Sequence, residues 1–138
     1  LFAYVPQGNM ILSGTVRDNI AFFAEDVPDE MIISSAKAAC IFDYISSLPD
    51  GFDTMLGEGG AGLSEGQIQR IAVARALCTD RPVILLDEAT SALDAETEKE
   101  LIANIKKMSG KTCIFITHKT AALEICDRVI SIKNGSII

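Results

Sequence analysis

No stretch of this 138-residue chain approaches the roughly 18 to 20 consecutive apolar residues needed to cross a bilayer, and no charged-then-apolar leader with a small-residue cleavage site opens it. The segment is therefore expected to be soluble. Basic residues are outnumbered, 12 Lys and Arg against 19 Asp and Glu, for a formal charge of -7, which argues against a nucleic-acid surface built on clustered cations. The four cysteines, Cys40, Cys78, Cys113 and Cys126, never form a Cys-x-x-Cys pair. Each sits in an apolar pattern, so buried thiols in a reducing compartment are expected rather than disulfides or zinc. There is one histidine, His118, and neither an internal repeat nor a low-complexity linker. Most telling, no Gly-x-x-x-x-Gly-Lys-Ser/Thr segment occurs, which excludes a complete phosphate-cradling loop.

What is present is enough for one core: 49% of the residues are hydrophobic, about what a single domain of this length uses. The chain starts with Leu1 in a segment that already reads as a strand, so the numbering is expected to begin inside a longer protein. Residues 1–5 form a short apolar run closed by Pro6 and leading to Gln7. Helical spacing of Met31, Ile32, Ala36 and Ala39 predicts a small helical subdomain across 28–48, with Pro28 at a helix start and Pro49-Asp50-Gly51 stopping the second piece. Ser64 and Gln67 form a Ser-x-x-Gln capping box for a helix reaching about Cys78, which Pro82 follows. Residues 83–86 read as a strand, Asp94 as the cap of a helix to about Met108, Gly110 as its end, and 113–116 as the next strand. A last helix is expected at 120–126 and a strand at 129–132, followed by the turn signal Asn134-Gly135.

Strands alternating with helices imply an α/β fold with parallel pairing, in which ligands bind beyond the carboxyl ends of the strands. Three apolar runs end in polar residues suited to phosphate chemistry: Val5 into Gln7, Leu86 into Asp87-Glu88, and Ile116 into Thr117-His118. Their convergence is the main structural expectation. An isolated Asp-Glu pair reads as two solvated acids. After four consecutive aliphatics, Asp87 and Glu88 read instead as the exposed end of a buried strand that holds Mg²⁺ and activates a water, the two side chains pointing to opposite sides of an extended backbone. Ser64, Gly66 and Gln67 open a helix whose free N–H groups and positive dipole end attract phosphate, and Gly66 lets the backbone come close. Glu65 brings a negative charge into the same turn. His118, on the same edge as Glu88, is a candidate to hydrogen-bond a terminal phosphate, and Gln7 to complete Mg²⁺ coordination or orient water. Residues 57–62 match G-x-G-x-x-G, but only 54–56 precede them, too short for the strand of a dinucleotide site; a flexible contact loop fits better.

With these residues in this order, the chain resembles the ATP-binding cassette of ABC transporters over nearly its whole length. Leu63-Ser64-Glu65-Gly66-Gln67 resembles the family signature, 83–88 the Walker B strand with its catalytic glutamate, 91–94 the D-loop, His118 the switch histidine and Gln7 the Q-loop glutamine. Residues 14–20 and 57–60 are similar to exporter cassettes, where such stretches face the membrane domain. The resemblance implies a P-loop NTPase-like (RecA-like) α/β core, truncated, with an inserted α-helical subdomain. Its parts would be residues 1–23 as the end of a core strand, the Q-loop and the coupling segment, 24–80 as the helical subdomain with the signature, and 81–138 as the core. It further implies that Asp87 and Gln7 serve Mg²⁺, that Glu88 polarises the attacking water, that His118 contacts the γ-phosphate of ATP and that Gln7 links the site to the membrane domain. Ser64, Gly66 and Gln67 would touch ATP held by a second cassette, and Asp94 would communicate across that interface. The partners implied are a second cassette and a transmembrane domain, at the cytoplasmic face of a membrane, with no nucleic acid. Glu65 stands where the family more often has glycine.

Two other functions stand as alternatives to export. A soluble ABC ATPase acting on DNA or ribosomes is disfavoured by the acidic charge, and the 55 residues between Gln7 and Leu63 leave no room for a long coiled-coil insertion. A non-hydrolytic regulatory module is disfavoured by the retention of Glu88 and His118.

Overall fold

The computed structural model describes residues 1–8 and 10–138. Its central element is a three-stranded parallel sheet of β1 (Phe2–Val5), β4 (Val83–Asp87) and β5 (Thr112–Ile116), in the order β1-β4-β5. Alternate residues of the strands, Ala3, Val5, Ile84 and Leu86, are buried, as the two-residue period of a strand requires. Helix α5 (Ala95–Lys106) joins β4 to β5 as the predicted crossover, burying Leu101, Ile102 and Ile105. Strand β5 is a sheet edge with Ile114 and Ile116 half exposed.

A helical layer precedes β4. The ribbon of β2 (Gly14–Thr15) and β3 (Met55–Leu56) is antiparallel and leads into α1 (Val16–Ala21), followed by α2 (Asp29–Ala38), α3 (Phe42–Ser47) and α4 (Glu65–Cys78). Helix α4 is enclosed by α1, α2 and β1 and is buried on several sides, through Gln69, residues 71–74 and residues 76–78, as the run of small and aliphatic residues in its second half demands, while Arg70 and Arg75 remain partly exposed. The predicted capping box forms at its start. Ser64 Oγ accepts the Gln67 N–H at 3.2 Å, and Gln67 Oε1 accepts the Ser64 N–H at 2.9 Å. The predicted helical stretch 28–48 divides between α2 and α3 because Cys40 turns left-handed (φ +58°), its carbonyl taken by Arg70 Nη1 at 2.7 Å.

The C-terminal region departs from expectation. Residues 121–125 form a turn rather than a helix, and the strand expected at 129–132 shrinks to β6 (Ile132–Lys133), paired antiparallel with β7 (Ser136–Ile137). A helix of seven residues does not repay the cost of its nucleus without a face to bury, and here Ala122 alone is fully buried. Val129 and Ile130 lie half exposed with no neighbouring strand to bond among the described residues. The Asn134-Gly135 turn does form, both residues at positive φ as a tight hairpin requires.

Of the four free thiols only Cys78 is buried; Cys40, Cys113 and Cys126 are partly exposed, short of the burial expected. Burial, with the Cys126 thiol adding to it, pushes Cys113 up to about 12. No helix among the described residues is long and apolar enough to cross a membrane.

Two aspartates tie α1 and α5 down at their starts. Thr15 Oγ1 accepts the Asp18 N–H while Asp18 Oδ2 accepts the Thr15 N–H at 2.9 Å, a capping box at a helix the sequence pattern had not revealed. Asp94 accepts the Thr97 hydroxyl at 2.7 Å and the Thr97 N–H at 3.0 Å. These bonds hold both carboxyls below their ordinary 3.8, through the Thr15 N–H first for Asp18 and the Thr97 hydroxyl first for Asp94. A depressed folded-state value stabilises the protein above the unfolded value, and that contribution is lost as the pH falls through the folded value. Stability should therefore drop as the pH falls below about 5 and on through the depressed folded-state values, and Asp18→Asn with Asp94→Asn should flatten that slope while keeping cap acceptors. Urea midpoints across the range test this; an unchanged slope would remove these carboxyls as its source.

Candidate functional site

Parallel pairing aligns the three strand ends. Val5 faces Leu86 and Asp87 faces Ile116, so the residues after β1, β4 and β5 emerge at one edge, as the sequence led us to expect. Gln7 stands exposed there, two residues beyond Val5.

The two acids diverge, though not by the geometry foreseen. Strand β4 ends at Asp87, and Glu88 adopts a left-handed backbone (φ +52°) instead of continuing extended, while its N–H bonds the Ile116 carbonyl at 2.9 Å. A non-glycine residue held at positive φ is strained, and such strain gathers at functional positions. The turn hands the carboxylates to opposite neighbours. Asp87 Oδ2 accepts the Tyr4 hydroxyl from β1 at 3.2 Å, and Glu88 Oε1 lies 3.1 Å from His118 Nε2 after β5. Glu88 is largely enclosed whereas the His118 ring is almost fully in solvent. Tyr4 escaped the sequence reading, its only signal being an aromatic on the exposed face of a short strand. Desolvation, then the bond and charge of Asp87, hold its phenol above the ordinary value.

Ser64 and Gln67 are engaged with each other in the α4 capping box, and among the described residues no hydrogen bond or ion pair joins them to Asp87, Glu88 or His118. The start of α4 is instead fastened to the segment after β4. A Cβ on Gly66 would stand 3.3 Å from the Ala92 carbonyl oxygen and 3.4 Å from a Leu93 methyl, so glycine there admits a close neighbouring backbone. One turn later the buried Gln69 donates to Ser91 Oγ at 2.8 Å and accepts the Ala92 N–H at 2.9 Å. On the other side of the same segment, Lys119 Nζ donates to the carbonyls of Thr90, at 2.9 Å, and Leu93.

The glycine-rich stretch 57–62 forms a short 3-10 turn (Glu58–Gly60), with Gly60 buried against Ile68 and Ile11. It follows the two-residue β3 of an antiparallel ribbon, which is no setting for a dinucleotide.

Residues 2–91 match the family described as ABC transporter. The chain belongs to that family. Among curated ABC relatives it is 44% identical over 137 residues to the ATP-dependent lipid A-core flippase of Desulfotalea psychrophila, covering 99% of this chain and 24% of that protein. It is 43% identical over 136 residues to the lactococcin-G-processing and transport ATP-binding protein LagD of Lactococcus lactis, covering 98% of this chain and 19% of LagD. A solved structure of a bacterial Atm1-family ABC exporter with ATP bound superposes with a TM-score of 0.92 at 34% identity, covering 99% of this chain and 24% of that one. The chain thus spans about a quarter or less of the ABC proteins it matches.

Proposed function

We propose that this chain is part of an ATP-binding cassette whose ATP hydrolysis drives export across a membrane. The observation that carries the reading is the meeting of Asp87, Glu88 and His118 at one sheet edge, in a chain whose relatives include an ATP-dependent flippase. Glu88 acts as the base toward the attacking water, its Oε1 held by His118 and its negative charge close to the reacting phosphate. His118, with its ring in solvent, is free to reach a γ-phosphate oxygen. Ser64, Gly66 and Gln67 face ATP held by a second cassette, and Asp94 lies toward that interface.

The donors suit Mg²⁺ only as a companion of nucleotide. Tyr4 occupies one oxygen of Asp87 and leaves the other unbonded among the described residues, and no group of three or more His, Cys, Asp or Glu among them forms a metal cage. A cation that keeps several waters and shares substrate phosphates needs no more than one or two carboxylates. Asp87, with Gln7, would hold it, and it would neutralise phosphate charge. The three-part division at 1–23, 24–80 and 81–138 belongs to the same reading, as does the membrane partner, which meets residues 14–20 and 57–60. Exposed Phe22, Phe23 and Met55 beside the β2–β3 ribbon give that surface an apolar face.

The lysine and loop N–H groups that neutralise phosphates elsewhere in such proteins are absent from this sequence. The chain alone should therefore bind MgATP weakly and turn it over negligibly, whereas a complete transporter containing it hydrolyses ATP. Titration calorimetry and phosphate release decide. Micromolar affinity or steady turnover by the chain alone, or a complete transporter that binds ATP without hydrolysing it, would overturn the proposal.

A further inference from the structure

Lys119 directly follows His118, yet its ammonium group turns away from the strand ends. Its Nζ donates to the carbonyls of Thr90 and Leu93. The same Nζ lies 4.0 Å from Oε2 of Glu98, a carboxylate on α5 with no exposed surface. Glu98 Oε1 accepts the Thr90 hydroxyl at 2.5 Å, while Oε2 has no hydrogen-bond partner among the described residues. An ammonium has three donors. Two serve the carbonyls, and the third remains for the unpartnered carboxylate oxygen. Gln69 holds the same segment from α4, through Ser91 and Ala92. Residues 90–93 are therefore clamped between the helix that opens with Ser64 and the residue next to His118.

We propose that Lys119 is a positioning residue: anchored on Glu98 and the Thr90 and Leu93 carbonyls, it fixes where His118 stands relative to Glu88 and so sets the rate of hydrolysis. This rests on the ATPase reading above. A side chain reaching only backbone carbonyls and a buried acid touches no substrate. Its effect passes through the backbone of its immediate neighbour, His118, and through the segment that starts at Glu88, whose carbonyl accepts the Ser91 N–H at 3.2 Å. The competing role is purely structural, a counter-charge without which buried Glu98 destabilises the fold.

The two roles separate in the complete transporter. Lys119→Met should lower kcat about tenfold to a hundredfold with the ATP affinity changed less than about threefold, the cost of misplacing a catalytic pair by a fraction of an ångström to an ångström. Lys119→Arg, keeping charge and donors, should recover most of that loss. Adding Glu98→Gln to Lys119→Met removes the uncompensated charge and should restore thermal stability while kcat stays low. Amide exchange across 88–94 and 117–119 should be faster in both Met variants, and Glu98→Gln alone, which leaves the Thr90 and Leu93 carbonyls to Lys119, should raise it less than Lys119→Met does. Recovery of kcat together with stability in the double variant, or exchange indifferent to Lys119, would overturn the proposal. A wild-type transporter that binds ATP without hydrolysing it would sink the ATPase reading alone, because the exchange measurement still decides for or against Lys119.

Discussion

Replacing Glu88 by glutamine in a complete transporter containing this chain should depress ATP hydrolysis by about 10² to 10⁴ while nucleotide binding and pairing of the cassettes persist. Glutamine matches glutamate in shape, and its amide oxygen can still face His118 Nε2, from which Glu88 Oε1 lies 3.1 Å. What disappears is the negative charge that draws a proton from water. The left-handed backbone at Glu88 is unaffected, since φ +52° is no harder for glutamine, so loss of rate cannot be assigned to a displaced loop. Asp87→Asn should behave differently. It keeps an acceptor for the Tyr4 hydroxyl but offers a hard cation a neutral oxygen, and nucleotide binding should lose much of its Mg²⁺ dependence. ATPase rates and nucleotide-driven dimerisation measured on both variants distinguish the roles. Near-normal turnover with Glu88→Gln would remove that residue from the chemistry and give the working glutamate to another cassette.

The parts of this site legible in sequence are those set by nearest neighbours. Four aliphatics before Asp87 can only be a buried strand with a wet end, and Ser64 with Gln67 closes a capping box whatever packs around it. Parallel pairing followed from alternating strands and helices, and it brought Gln7, Asp87 and His118 to one edge, whereas the order β1-β4-β5 is seen only in the structure. Interactions between distant segments stayed hidden. Nothing local marks Tyr4 as the partner of Asp87, Gln69 as the tie to Ser91, or Lys119 as the tie to Thr90. Glu88 shows the limit well: alternation along an extended strand predicted divergent acids, and the divergence arises because the strand has already ended. The C-terminal errors have the converse cause. Residues 129–132 alternate as a strand should, but alternation makes a strand only where a neighbour accepts its hydrogen bonds, and β5 has no partner on that side.

Removal of Arg75 should cost more stability than any surface charge on the chain. It sits in the last turn of α4, partly buried, with desolvation drawing its guanidinium below the ordinary value. Nε donates to the Asn19 carbonyl at 2.7 Å, Nη1 to the Met10 carbonyl at 2.8 Å, and Nη2 to Asn19 Oδ1 at 3.0 Å, while the group stacks 5.5 Å from the centre of the Phe22 ring. Asn19 is itself fully buried, its amide bonded to the carbonyls of Leu12 and Thr15. Truncation to alanine leaves the Asn19 carbonyl without its donor, while Asn19 Oδ1 keeps the Leu12 N–H and the Met10 carbonyl can turn to water, and we expect a loss of about 1.5 to 3 kcal/mol. Arg75→Lys restores charge but not the planar fork that reaches three acceptors at once, so it should recover less than half of the loss. Urea unfolding of the chain reads both values, and a loss below about 1 kcal/mol for Arg75→Ala would mean the fork is no more than a surface contact. The same side chain has a place in the transport reading. Helix α4 is capped by Ser64, proposed to face ATP, and carries in its last turn Arg75, which grips Asn19 within the segment proposed to meet the membrane domain. Arg75→Ala should therefore disturb the Asn19 end of that arrangement directly while leaving the Ser64–Gln67 capping box at the other end in place.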